Sequence, residues 1–254
     1  MEKEITDSHY WSGRWDRSNL PTTVDVKKNP ITLLTALFDK YSSDKKSMIE
    51  IGCAPGIWMH YFKIKHNMNV AGIEYSEVGV AKTKENLRLL GVNDYELIYD
   101  DFLNYNFSKK YDLVLSLGFI EHFPDVENII KKHLKILNEN GILIITVPNF
   151  DKQHKSLNYR LQRAINKDDL LEHNLSITNL EAVKNVCQKL DLKTKYIDYC
   201  GGINLGVTFF GNKHTRLKYF FNLFSSIISR FAKIIKYNGK NRFLSPYVAV
   251  VIQS

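Results

Sequence analysis

Beyond residue 46, short apolar runs alternate with segments of helical periodicity, and no other feature of the chain limits its fold so strongly. Residues 47–51, 69–74, 95–99, 111–117, 141–147, 193–198 and 246–253 read as strands. Between them, residues 57–66, 76–90, 125–137 and 178–190 read as helices, the second capped by Ser76 and closed by Gly91. Strand, helix and strand in succession make the unit of a parallel sheet, and helices on both faces are needed to bury strands this apolar. The predicted class is α/β.

Length and composition agree. A chain of 254 residues can build one α/β domain with an appendage, and 44% hydrophobic with 24% charged residues is ordinary for a globular protein. Residues 1–29 are polar with embedded Tyr10, Trp11 and Trp15. They read as an arm, either a lid over a ligand or a segment anchored to the core by its rings. Asn29-Pro30 then opens a helix to about Tyr41, with Ile31, Leu33, Leu34, Leu37 and Phe38 as its apolar residues. The chain divides into an arm and helix (1–45), a ligand-binding core (46–150), and the rest of the sheet with acceptor-side segments (151–254). The first residues, with Glu2, Glu4, Asp7 and Asp16, carry no secretory signal. Cys53, Cys187 and Cys200 show neither metal spacing nor a disulfide framework, so a cytoplasmic location is expected.

The chemistry starts at the first strand-to-helix turn, Glu50-Ile51-Gly52-Cys53-Ala54-Pro55-Gly56. Gly52 permits a tight turn, Ala54 lets backbone approach a ligand, and Pro55 suits a first helical position. Ligands of a doubly wound sheet sit at the carboxyl ends of the strands, and there the chain places acids. Glu74, ending the second strand, can accept the ribose hydroxyls of an adenosine cofactor. Asp101, after the third, can accept the adenine amino proton while Phe102 or Tyr75 packs on the ring. A nicotinamide dinucleotide fits less well: its Gly-x-Gly-x-x-Gly pattern meets Gly52, Ala54 and Ile57 here.

These segments, with Gly72-Ile73-Glu74-Tyr75-Ser76, Tyr111-Asp112-Leu113-Val114 and Gly141-Ile142-Leu143-Ile144-Ile145, resemble class I S-adenosylmethionine-dependent methyltransferases. Ile120-Glu121-His122-Phe123 and Val147-Pro148-Asn149 are similar to small-molecule O-methyltransferases of the ubiquinone-biosynthesis type and to relatives from bacterial polysaccharide clusters. Ala54 departs from the usual Gly. The resemblance implies a Rossmann-like, doubly wound sheet of seven strands, mostly parallel with an antiparallel last strand. It also implies S-adenosylmethionine as cofactor and S-adenosylhomocysteine as product. Glu50, Gly52, Cys53, Ala54 and Gly56 would then shape the methionine and ribose pocket, Glu74 would hold the ribose, Asp101 and Phe102 the adenine, and Leu117 would line the cofactor near its sulfonium.

A hydroxyl acceptor must lose a proton. His122 is the candidate base, with Glu121 to orient it or to bind the acceptor; His122 could equally cap the helix opening near Asp125 or pack on the cofactor. The remaining histidines match no metal spacing, and no metal is expected. A nucleic-acid acceptor is not favoured, because the chain lacks the Asn/Asp-Pro-Pro-Tyr type of motif after the fourth strand.

The net charge of +8 lies wholly in the last part of the chain. No acidic residue follows Asp198, while Lys213, Arg216, Lys218, Arg230, Lys233, Lys236, Lys240 and Arg242 do. Residues 216–237, within a basic insertion over about 213–243, read as one amphipathic helix with Phe220, Phe221, Phe224 and Phe231 on its apolar face. Such a helix can lie on an anionic membrane surface, cover the active site, or pack against a second copy in a homodimer. The first suits a small-molecule or glycan acceptor carried on a lipid, on the inner face of a membrane.

Overall fold

The computed structural model describes residues 5–26, 31–202 and 240–254. Seven strands form one sheet: β1 (Ser47–Ile51), β2 (Asn69–Glu74), β3 (Glu96–Tyr99), β4 (Tyr111–Leu117), β5 (Leu137–Pro148), β6 (Thr194–Cys200) and β7 (Tyr247–Gln253). Their order is β3-β2-β1-β4-β5-β7-β6. The pairs among β1 to β5 are parallel, and β7 runs antiparallel to both β5 and β6. This is the expected doubly wound sheet with its antiparallel last strand. The winding reverses between β1 and β4, which opens a crevice at their carboxyl ends.

Alternation along each strand builds two cores. Met48, Val70, Leu113, Leu115, Ile142, Ile144 and Val251 point to one face. There they meet Leu34, Leu37 and Phe38 of α2 (Ile31–Ser42), Trp58, Met59 and Phe62 of α3 (Ile57–His66), and Leu87 of α4 (Glu77–Leu89). Ile49, Ile51, Ile73, Val114, Leu143, Ile145, Val250 and Ile252 point the other way, against α5 (Val126–Lys135) and α8 (Leu180–Lys189). Each fully buried aliphatic or Phe side chain contributes roughly 1.5–3 kcal/mol, so this double face outweighs local propensity in fixing the register.

Three further helices belong to the edges of the site: α1 (Ser8–Trp15), α6 (Leu157–Ile165) and α7 (Lys167–Leu171). Phe150, Tyr159 and Leu170 form a small separate cluster beneath α6 and α7.

Two local readings are corrected. Pro55 is not the first helical residue: α3 starts at Ile57, with Gly56 as its N-cap at φ 81°. The helix read over 125–137 ends at Lys135, and Leu137 already pairs with Tyr111 before a register shift brings Leu113 opposite Ile142. The bulge needs Asn140 at φ 57° and no side chain at Gly141, where a Cβ would stand 2.8 Å from the Asn138 carbonyl oxygen. Asn29-Pro30, the start expected for α2, and the basic helix over 216–237 lie outside the described residues.

Candidate active site

The turn after β1 is held by backbone. Gly52 (φ 71°) and Gly56 (φ 81°) adopt the left-handed conformation that a side chain disfavours. The N–H groups of Gly52 and Cys53 donate to the Ile73 carbonyl at 2.9 and 3.3 Å, which clamps the turn to the end of β2. The close approach works because residue 72 is glycine: a Cβ there would lie 2.5 Å from Cys53 Sγ. The Cys53 side chain is buried in the α2–α3 core, so only its backbone faces the crevice side of the turn. Ala54 is likewise buried.

Two acids flank this turn and both are buried. Glu50 is 5% exposed and its Oε2 has no hydrogen-bond partner among the described residues. Burial, with the Glu74 charge adding to it, pushes the Glu50 carboxyl well above the usual range. Glu74 accepts from the backbone N–H of Ser76 at 2.8 Å, and the N–H groups of Ala54 and Tyr75 also favour its charged form. Burial outweighs all three and raises it to about 7. An unmatched carboxylate oxygen beside a second strained carboxyl calls for a ligand that brings hydroxyl donors and positive charge. S-adenosylmethionine brings both: two ribose hydroxyls, an ammonium and a sulfonium. The residues present therefore fit that cofactor.

The adenine side is less open than the sequence implies. Asp101 Oδ1 accepts from the Leu103 N–H at 2.8 Å, which fixes the carboxylate at the end of β3. Phe102 is 3% exposed and packs on His133 (ring centroids 4.5 Å) and Phe119 (5.7 Å), so its ring belongs to the core. Tyr75 is half-buried and its hydroxyl reaches the Thr6 carbonyl at 3.4 Å. Leu117, half-buried, ends β4 opposite Thr146. Phe119, which sequence reasoning passed over, stands over the turn, 3.3 Å from where a Gly52 Cβ would be.

Glu121 and His122 lie in a single 3-10 turn, Ile120–His122, immediately beyond β4. Glu121 is 1% exposed, its Oε2 is unpartnered among the described residues, and burial raises its carboxyl to about 8. His122 is 5% exposed; burial, and next the neighbouring His173, lower it to about 3. It is thus neutral near pH 7. With its Nδ1 2.7 Å from the Glu172 carbonyl oxygen, that nitrogen carries the proton and Nε2 is left as acceptor. The His173 ring stands 4.8 Å from that of His122. Donor atoms of Glu121, His122 and His173 lie within 4.8 Å of one another. No spacing rule could find this trio, because His173 arrives from a loop fifty residues on.

The arm packs against the turn carrying His122 at one end and the start of α4, beside Glu74, at the other. Ile5 N–H donates to the His122 carbonyl at 2.9 Å, and Trp11 stands edge-on to His122 with ring centroids 5.0 Å apart. At the other end, Ser12 and Ser76 share a hydroxyl hydrogen bond at 3.0 Å. Trp15 lies against Gly79, where a Cβ would be 3.0 Å from its ring and 2.9 Å from Glu74. The rings of the arm anchor it to the body of the protein at His122 and Gly79.

A family model described as a methyltransferase domain matches residues 25–196. Similar proteins include the probable (S)-tetrahydroprotoberberine N-methyltransferase 2 of Papaver bracteatum, 28% identical over 50% of this chain and 34% of that protein. The ubiquinone biosynthesis O-methyltransferase of Pelagibacter ubique is 31% identical over 42% of this chain and 46% of that protein. The chain thus spans about a third to a half of the length of these relatives. A SAM-dependent methyltransferase from Thiobacillus denitrificans, solved in complex with S-adenosyl-L-homocysteine, superposes with a TM-score of 0.61 at 14% identity, over 95% of this chain and 96% of that one. The fold is that of class I methyltransferases, and with most of its length matched by the model the chain belongs to the methyltransferase-domain family.

Proposed function

We propose that this member of the methyltransferase-domain family moves a methyl group from S-adenosylmethionine to an oxygen of a small molecule, a sugar or a lipid-linked glycan. The observation that carries the cofactor half of this reading is the buried pair Glu50 and Glu74 beside the Gly52 turn, with Glu50 Oε2 unmatched. Bound there, the cofactor supplies a methyl already activated by the positive charge on sulfur. The chain's residues then have to align the acceptor, and alignment alone is worth roughly 7–11 kcal/mol. Glu74 takes the ribose hydroxyls, Glu50 faces positive charge, and Leu117 with Phe119 walls the space between the turn and β4.

The acceptor oxygen is read to meet Glu121 and His122. They are polar groups at the carboxyl end of β4, buried and within reach of the crevice, and an acceptor hydroxyl can hand its proton toward this pair. His122, neutral and with Nδ1 committed to Glu172, receives the acceptor as a hydrogen-bond acceptor more readily than it could act as a strong base. The likeness to both an N- and an O-methyltransferase supports nitrogen as the alternative acceptor atom. The charge after Asp198 supports an acceptor presented at an anionic surface, by a cytoplasmic protein held at the membrane's inner face. No helix among the described residues is long and apolar enough to cross a membrane.

Incubation with isotopically labelled S-adenosylmethionine and panels of phenols, sugars and amines, read by mass spectrometry, tests the reading. Label on a hydroxyl is expected, and label on amines alone selects the alternative. His122→Ala should retain cofactor binding and lose roughly 2–12-fold in turnover, the worth of one hydrogen bond; unchanged turnover removes His122 from the reaction.

A further inference from the structure

We propose that Arg242, Arg160, Lys155 and His154 form a subsite for a phosphoryl or diphosphoryl group carried by the methyl acceptor. They come from two segments: the connection from β5 into α6, and the loop that leads into β7. Residues 151–160 and 240–245 carry Lys152, Lys155, Arg160, Lys240 and Arg242 against one acid, Asp151. Lys240 is taken up by Asp198 at 2.9 Å. The others repel one another, and a bound anion relieves that repulsion.

Buried groups hold these side chains in place. Asp151, 3% exposed, accepts from the His154 backbone N–H at 2.9 Å and lies 2.9 Å from His154 Nδ1. Its Oδ2 also stands 3.5 Å from Arg242 Nε, with the Tyr199 hydroxyl as a second neighbour of the guanidinium. The backbone of Arg242 is fixed as well. Its carbonyl accepts from Asn149 Nδ2 at 2.8 Å, and the next carbonyl, of Phe243, accepts from the Leu157 N–H at 2.9 Å. Asn149 is wholly buried just past β5, so the segment Val147-Pro148-Asn149 has the role of fastening this loop to the sheet. Arg160 Nε donates to the Lys155 carbonyl at 3.0 Å, and its guanidinium lies over the Phe243 ring at 5.6 Å. A guanidinium held in this way keeps its planar fork pre-organised, the form that grips phosphate oxygens in pairs. The Arg242 side chain is nonetheless 50% exposed and that of His154 37%, so a ligand can reach both.

The subsite lies at the carboxyl edge of the sheet, where Asp151 follows the end of β5. Its neighbour Phe150 packs on His173 with ring centroids 5.2 Å apart, and His173 on His122 at 4.8 Å, so Phe150 stands within about 10 Å of His122. A sugar ring bearing a phosphate covers such a gap. On the methyl-transfer reading, on which the assignment to an acceptor rests, the anion is gripped at Arg242 while an oxygen several bonds away meets the methyl. The subsite contributes affinity and alignment and takes no part in the bond changes. Phosphorylated sugars are thereby selected over neutral sugars and phenols.

Binding of inorganic pyrophosphate to the full chain is measured by calorimetry, and S-adenosylhomocysteine affinity is measured on the same samples. One equivalent should bind, more weakly as salt is raised. Arg242→Ala and Arg160→Ala should each weaken it at least about tenfold, and Arg242→Lys should recover only part of the loss. Unchanged S-adenosylhomocysteine affinity shows that the variants fold. Lys110→Ala, which removes an exposed cation at the amino end of β4, should leave pyrophosphate binding as it was. A prenyl diphosphate in detergent micelles separates the two sources of such a group: binding tighter than that of pyrophosphate selects a lipid-linked acceptor, otherwise a soluble one, and the subsite stands in both cases. Absence of pyrophosphate binding, or binding indifferent to Arg242→Ala and Arg160→Ala, overturns the proposal. Binding to phosphatidylglycerol vesicles or to a single-stranded oligonucleotide, with none to pyrophosphate, also overturns it and assigns these cations to a membrane or a nucleic acid. Pyrophosphate binding without S-adenosylhomocysteine binding would leave the anion site standing and sink the methyl-transfer reading instead.

Discussion

The backbone N–H of Ile5 donates to the carbonyl of His122 at 2.9 Å, fastening the arm to the turn that carries Glu121. Together with the Ser12–Ser76 hydroxyl bond, it makes the arm a bridge from the start of α4 to the turn after β4. Yet no residue of α1 is fully buried. A helix held by a few polar bonds and partly exposed rings opens at low cost, so it can admit ligands and reseal.

Amide hydrogen exchange should therefore be fast over residues 8–15 in the free protein and slowed by S-adenosylhomocysteine. Trp11→Ala removes the ring over His122 and should lower kcat/KM about tenfold, equivalent to roughly 1.4 kcal/mol, with little loss of global stability. Exchange in the arm that ignores the ligand would show that α1 is only an anchor.

If Glu74 takes the ribose as proposed, cofactor binding should depend on pH. Its carboxyl is raised from 4.5 to about 7, chiefly by burial, with Glu50 and Cys53 as the titratable neighbours around it. Hydroxyl donors of a ribose favour the carboxylate, so binding should expel a proton and weaken as pH falls below 7, by up to about tenfold per unit. Calorimetry in two buffers of different ionisation heat reads the proton directly. Stability of the free protein runs in the opposite sense. A carboxyl whose folded value is raised stabilises fully below the unfolded value of 4.5, and that contribution is lost as pH rises through 7. The loss is about 3 kcal/mol. Glu74→Gln should flatten both dependences, and an affinity independent of pH would refute this role.

Gly72→Ala tests the clamp between the turn and β2. Its Cβ would meet Cys53 Sγ at 2.5 Å, Cys53 Cβ at 2.7 Å and Met59 Sδ at 2.7 Å, all inside the α2–α3 core. Overpacking of this kind costs about 1–3 kcal/mol, so the melting temperature should fall by roughly 2–12 °C. Gly72→Ala with Cys53→Ala should recover part of it, because the sulfur is the nearest obstacle.

The sheet was legible because its inner strands β1, β2, β4, β5 and β7 are buried on both faces over most of their length, which leaves apolar runs that no solvent-facing segment would carry, while the edge strands β3 and β6 are partly exposed. The same logic exposed Glu50, Glu74 and Asp101, since each ends or leaves a strand. What stayed hidden is decided by tertiary contacts. The α5–β5 junction turns on the bulge at Asn140-Gly141, invisible to periodicity. The helix α1 has no repeating apolar face, and its tryptophans pack on residues sixty or more positions away. His173 is brought to His122 by hydrogen bonds from the Asn174 backbone N–H and side-chain amide to the Glu121 and Phe123 carbonyls, which leave no trace in spacing.

Glu50→Gln separates binding from stability. In the free protein burial, with the Glu74 charge adding to it, raises the Glu50 carboxyl well above the usual range and makes its charged form the costly one, so an amide of the same shape should gain in melting temperature over the glutamate as pH rises. Bound cofactor reverses the balance, because its positive charge favours the carboxylate that the amide cannot supply. A hydrogen bond to a charged partner contributes about 1.5–3 kcal/mol, so affinity for S-adenosylmethionine should fall roughly 10–150-fold. A Glu50→Gln protein that melts lower and binds as before would mean that the acid holds the turn together and leaves the cofactor to others.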